Sequence, residues 1–245
     1  TINLEGHTIS NAMVDGKLVG LIKNNGNLTI TGGTFDSTRA SASAIDNNPG
    51  GVLVIDGLTI IAKGDDKNNN NNKQAVFNDN GHCTIRNCYL ESKASGQYKD
   101  KWNKQIPRCS AHNINGGTMI IESGTVINKL PTTIDSSYKN AAVSNGPNST
   151  LILGIKDELY NEDNPTLVGK KYGIYNAGTL EYYDGTFSGR TAALYGTEPA
   201  EIEDYYDQQT TSGVEITLQG ETEVGTYYKR SLLPPITITP STLER

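Results

Sequence analysis

Along the segment Leu21–Phe35, LIKNNGNLTITGGTF, apolar residues alternate with polar ones and the alternation breaks at a glycine pair. The phrase returns as AIDNNPGGVLVIDGLTI from Ala44 to Ile60 and, more distantly, as GIYNAGTLEYYDGTF from Gly173 to Phe187. Copies begin at Leu21, Ala44, Ala75, Ala111, Ala142, Gly173 and, degraded, Ala193. Irregular spacing around a fixed phrase is the mark of a constant unit with loops of varying length inserted at one point. One aligned column reads Leu28, Leu53, Cys83, Met119, Leu151, Leu180. Two residues on, another reads Ile30, Ile55, Ile85, Ile121, Leu153, Tyr182. A step of two is the period of a strand with one face on a core. Five residues later comes a third column, Phe35, Ile60, Leu90, Val126 and, after a break, Phe187. Glycine-rich steps such as Asp56-Gly57 and Asp184-Gly185 separate the second column from the third and read as turns.

Each unit is therefore strand, bend, strand and variable loop. No single unit buries its own apolar side chains; stacked in parallel, like residues lie on like residues and form one narrow core. A polar column runs beside them: Asn24, Asn47, Asn78, Asn145 and Asn176, each three residues after the start of its copy. Asparagine tolerates the left-handed backbone of a sharp bend, and stacked amides can hydrogen-bond along the stack. In the copy starting at Ala111 this place falls on Ile114, with Asn113 and Asn115 beside it. The pattern predicts an all-β fold, a right-handed single-stranded parallel β-helix of roughly seven or eight coils. At about 4.8 Å between strands, the stack would be some 35–40 Å long. The helix would occupy residues 1–233, with an irregular capping region from about 212, where VEITLQGETEVGTYY adds a last coil or a capping hairpin. Residues 234–245, with Pro234, Pro235 and Pro240, read as a linker or tail.

The phrase NGNLTITGGTF resembles the right-handed parallel β-helix repeats of the pectate-lyase-like superfamily, above all coils in large secreted surface proteins of Gram-positive and gut bacteria. The opening TINLEGHTIS is similar to the first coil of that group, with Glu5-Gly6-His7-Thr8-Ile9 in place of its N-G-H-T-I. The resemblance covers about residues 1–205. It implies a location outside the cell or on the bacterial surface. It also brings a choice of roles, because the superfamily holds polysaccharide lyases, glycoside hydrolases, tailspikes and adhesins.

Composition narrows this choice. Net charge is −6, which does not favour a nucleic-acid partner. No apolar run reaches the length of a membrane span, so membrane insertion is not expected, and no signal peptide is recognisable. The chain starts at Thr1, without Met, as expected for a mature piece of a larger multidomain protein. Three cysteines leave two readings open, one pair plus a free thiol or three thiols; Cys88 and Cys109 are the pair that could pin a loop, and Cys83 falls in a core column.

Catalytic chemistry finds little purchase. A lyase site of the superfamily needs clustered carboxylates for Ca²⁺ and an Arg or Lys base. Asp65, Asp66, Glu201, Glu203 and Asp204 have no acidic neighbour at the same offset in the next unit, and Asp56 and Asp184, which do share an offset, are units apart. Gly64-Asp65-Asp66, Gly81-His82 and Ile85-Arg86 resemble pieces of the polygalacturonase pattern, but an N-T-D element is missing, Cys83 follows His82, and Arg86 lacks the Ile-Lys that should follow. His7, His82 and His112 show no metal spacing; His112 falls in the apolar column of Ile45, Val76, Val143 and Ile174 and reads as a packed residue. No cofactor is expected.

Binding chemistry gathers in the longest loop, Glu91 to Ser110. It holds Tyr98 and the only tryptophan, Trp102, among Lys93, Lys99, Lys101, Lys104 and Arg108. Aromatic rings amid polar donors stack on sugars or anchor protein interfaces, so Tyr98, Lys101, Trp102 and Lys104 are the candidate ligand contacts. The alternative for Trp102 is to fold back over the coil beneath. The tyrosines from Tyr172 onward are expected in part to seal the end of the stack, with Tyr182 in the core. The sequence thus points to a non-enzymatic surface or adhesin module that binds a host or environmental protein or glycan. A lyase or hydrolase on polyuronides and a structural stalk are the competing readings.

Overall fold

The structure, a computed structural model, describes residues 1–10, 13–14, 17–18, 21–37, 43–62, 74–92, 97–99, 105–129, 140–158, 164–202, 205–218 and 221–232. The strands at 13–14, 17–18, 97–99, 105–107, 205–218 and 221–232 are described in their backbone alone. The described chain is all-β, a β-helix-like solenoid in which parallel strands stack coil upon coil.

Each full coil contributes three strands. The first face is a seven-stranded parallel sheet: Ile22–Asn24, Ile45–Asn47, Val76–Asp79, Ala111–Ile114, Ala141–Asn145, Tyr172–Asn176 and Ala192–Gly196. The second face stacks Ile2–Asn3, the first halves of Asn27–Asp36 and Val52–Ala62, His82–Arg86, Thr118–Ile121, Thr150–Leu153 and Thr179–Tyr182. The third stacks Thr8–Ser10, the second halves of the same two long strands, Cys88–Ser92, Gly124–Asn128, Thr166–Gly169 and Gly185–Gly189. A long antiparallel hairpin, Tyr205–Leu218 with Glu221–Leu232, pairs onto Gly185–Gly189 and continues this face. Of the two C-terminal alternatives the hairpin is therefore the one adopted, and it starts earlier than residue 212.

The register follows the aligned columns. Leu53 pairs with Leu28 and Cys83, Met119 with Cys83 and Leu151, and Leu151 with Leu180. Ile30, Ile55, Ile85, Ile121, Leu153 and Tyr182 stack in the same way. Both columns are buried almost throughout, with Leu28 alone partly exposed. At roughly 1.5–3 kcal/mol for each fully buried aliphatic side chain, these stacks supply most of the drive to fold. The third column gains a member: Leu167 stands between Val126 and Phe187. It follows Leu153 only after the segment 154–165, which breaks the step of five.

The asparagine column is a continuous ladder. Nδ2 of Asn24 donates to Oδ1 of Asn47 (2.8 Å), Asn47 to Asn78 (2.7 Å), Asn78 to Asn113 (2.8 Å), Asn113 to Asn145 (2.9 Å) and Asn145 to Asn176 (2.8 Å). Asn113, not Ile114, holds the fourth place, so that copy begins at Ser110 rather than Ala111. The shift also moves His112. Ala111 takes the inward position with Val76 and Val143, while His112 pairs with Phe77 and Ser144 on the outer side of the first face.

His112 is nonetheless buried, its ring edge-on to Phe77 at 5.5 Å and its Nδ1 without a hydrogen-bond partner. Burial pushes its pKa from 6.5 down to about 4. A neutral buried imidazole stabilises the fold fully above the unfolded value, and this contribution is lost as pH falls from about 6.5 towards 4, where the unfolded chain takes up a proton that the folded one refuses. The gap corresponds to roughly 3 kcal/mol. His112→Phe, which keeps the ring contact with Phe77, should therefore lose less stability than the parent between pH 7 and pH 4.5 in urea titrations. Equal losses in the two proteins would show that His112 is not buried in its neutral form.

Candidate functional site

The sequence-derived contact set is only partly within reach. Lys101, Trp102 and Lys104 lie outside the described residues, as do Asp65 and Asp66. Tyr98 sits on a short antiparallel ladder, Gln97–Lys99 against Gln105–Pro107, opposite Ile106. The long connection thus has secondary structure of its own. Arg108 leaves the expected basic patch: it is buried, and its backbone N–H donates to Asn140 Oδ1 at 3.2 Å. Cys88 and Cys109 are not joined; both are buried free thiols, as is Cys83. Arg86 is held by Glu122, with a second contact from Nη2 to Oε1 of 3.1 Å.

The described residues instead present a cleft of about 380 Å³ on the outer side of the third face. Its floor comes from a register column one residue ahead of the apolar one: Thr8, Thr34, Thr59, Tyr89, Thr125, Thr166 and Thr186. The cleft takes the middle of that column, Thr59, Tyr89, Thr125 and Thr166. Its side follows the turn from the second face to the third, through Gly57, Asn87 and Gly124. This wall is kept low by close backbone approach. Gly124 has φ +97°, and a Cβ there would lie 2.3 Å from the carbonyl oxygen of Cys88. Asn87 takes a left-handed φ of 48°, and its Nδ2 donates to Asp56 Oδ1 at 3.1 Å.

Two side chains give the cleft its polarity. The Tyr89 ring packs against buried Ile127 and Val168, and its hydroxyl donates to Glu91 Oε2 at 2.8 Å. Glu91 in turn meets Lys129 Nζ at 3.1 Å. Burial first, then the Glu91 hydrogen bond and charge, raise the Tyr89 pKa, so the phenol keeps its proton at neutral pH. Asn164, from the segment that separates Thr166 from the second face, closes one end, and its Nδ2 is a buried donor with no partner. Cys88 also lines the cleft; burial, partly offset by backbone hydrogen bonds, pushes its thiol up to about 11, and Sγ lies 2.9 Å from the Arg86 carbonyl oxygen. It is therefore a thiol, not a thiolate nucleophile, at neutral pH.

The signal for this floor was present in the sequence, as the residue just before each apolar member of the third column. Asn164 has no such signal, because it follows the inserted segment. Among the described residues no group of three or more His, Cys, Asp or Glu is placed to hold a metal ion. No protein-family model, curated protein or solved structure matches the chain.

Proposed function

We propose that the chain is a right-handed parallel β-helix of the pectate-lyase-like kind, acting as a non-enzymatic module outside the cell or on the bacterial surface. Its loops bind a host or environmental protein or glycan. One observation carries this reading. The connections from the third face to the next first face, residues 11–21, 37–44, 63–75, 93–110 and 129–140, vary in length and all leave from the same corner. The turn from the first face to the second stays short in every coil, fixed by the asparagine ladder. A rigid spine with most of its variation at one corner, the segment 154–165 between the second and third faces being the exception, is the architecture of a display scaffold. The location rests on the sequence resemblance.

The test is Trp102→Ala, read against a panel of host proteins and glycans by surface plasmon resonance. Losing an aromatic anchor costs about 2 kcal/mol or more, about thirtyfold in affinity. Affinity should fall by that factor with Tm unchanged. Unaltered binding of every ligand would place the contacts elsewhere, and a collapse of Tm would make Trp102 a cover for the core. Turnover of polygalacturonate in a parallel reducing-sugar assay would move the chain among the enzymes.

A further inference from the structure

We infer that the outer side of the second face is a contact surface for a second copy of this chain, which packs on it face to face about a two-fold axis. The inference goes beyond the binding role proposed above and does not depend on it. Residues that alternate with the apolar core positions of the second face point outward. One outward column reads Asn27, Val52, His82, Thr118, Thr150 and Thr179. Two residues on, the next reads Thr29, Val54, Thr84, Ile120, Ile152 and Glu181. Glu181, in the last coil, is the only Asp, Glu, Lys or Arg in the two columns, and its Oε2 accepts from the Tyr183 hydroxyl at 3.1 Å. The surface is open to water: Val52 is 39% exposed, and Val54, Ile120 and Ile152 are partly exposed. β-branched side chains are stiff at χ1, so an array of them loses little freedom when it is covered. A contiguous, largely apolar surface of this kind marks a contact site.

The charges at its rim select the occupant. Two residues beyond the second column stand Thr31, Asp56, Arg86 and Glu122, in successive coils. Arg86 and Glu122 are bonded within the chain and still open, with side chains 45% and 18% exposed. Consider a two-fold axis that runs along the strands, midway between His82–Arg86 and Thr118–Ile121. It sets each column on the same column of the partner. Arg86 then faces the partner's Glu122, and Glu122 faces the partner's Arg86, a ring of four alternating charges. Val54 falls opposite the partner's Ile152, and Thr84 opposite the partner's Ile120. Moving the axis half a coil either way sets Arg86 on Arg86 or Glu122 on Glu122, so the rim fixes the register of the pair. An isologous contact needs one self-complementary patch, and this face supplies it. Six strands about 4.8 Å apart, each of some four residues, give a footprint of roughly 300 Å². A stable interface buries about 800 Å² per partner, so the dimer is weak, in the micromolar range or above.

The experiment is sedimentation equilibrium of the intact chain at loadings from about 10 μM to about 1 mM. A monomer–dimer equilibrium is expected; no species above the monomer at the highest loading overturns the inference. Val54→Lys/Ile152→Lys puts cations on both sides of the same contact and should weaken dimerisation at least about tenfold. Its Tm should stay close to the parent's, because both side chains lie outside the core. Arg86→Glu and Glu122→Arg, each alone, set like charges across the axis and should each weaken the dimer about fivefold or more. The combined Arg86→Glu/Glu122→Arg rebuilds the ring with its signs exchanged and should return the dissociation constant to within about threefold of the parent's. These rim variants, on exposed side chains, carry the test if the lysine variant does not fold. A dimer that the lysine variant leaves intact lies on another surface. A combined exchange that dimerises no better than either single one refutes the axis. Either result overturns the inference.

Discussion

Leu53→Asp should prevent the chain from folding or lower its Tm by at least about 10 °C, while Val52→Asp, one residue away, should leave Tm nearly unchanged. Leu53 is 0% exposed and stacks between Leu28 and Cys83, whereas Val52 is 39% exposed on the opposite side of the same strand. An unpaired carboxylate in that column costs several kcal/mol, a large part of the roughly 5–15 kcal/mol that holds a domain together. For a chain of this size each kcal/mol moves Tm by about 2–4 °C. A one-residue slip in register would exchange the two faces. Thermal melts of the pair therefore test the register itself: a harmless Leu53→Asp with a ruinous Val52→Asp would reverse it.

The second large effect is expected at Asn78→Leu. Asn78 Nδ2 reaches the carbonyl oxygens of Gly81 (2.9 Å) and Thr118 (3.1 Å) as well as Asn113 Oδ1. Its own Oδ1 accepts from Asn47. Leucine fills a similar volume but leaves these buried groups without their partner, at about 1–3 kcal/mol each. The loss should reach at least about 3 kcal/mol in urea unfolding. Asn24→Leu should cost less, since Asn24 stands at the end of the ladder and receives no amide from a preceding member among the described residues. A loss below about 1 kcal/mol for Asn78→Leu would mean that the ladder marks the bend without holding it.

The columns of the core were legible because a parallel stack repeats the same side chain at the same offset, and the strand period of two sorts the faces. Where the offset itself varies, legibility fails. Asn113 precedes Met119 by six residues, as Asn47 precedes Leu53 and Asn145 precedes Leu151. Asn24, however, precedes Leu28 by four residues and Asn78 precedes Cys83 by five, so no fixed count back from the core column singles it out, and counting forward from a small residue does not either, because Ser110 and Ala111 both fit the start. His112 was misplaced by the same slip. Leu167 was lost behind the segment 154–165. The proposed binding surface was legible only in part, for a different reason. Tyr98 and Trp102 stand out by residue type, whereas the threonine row is made of common strand residues and gains meaning only when register sets them side by side.

The central claim is a rigid solenoid that holds a ligand without converting it. Native mass spectrometry of the intact chain, mixed with neutral and acidic oligosaccharides and with candidate host proteins, tests both halves at once. A complex whose mass is that of the chain plus an unaltered ligand is the expected result. Shortened or unsaturated sugar products, or the absence of any complex across the panel, would contradict it.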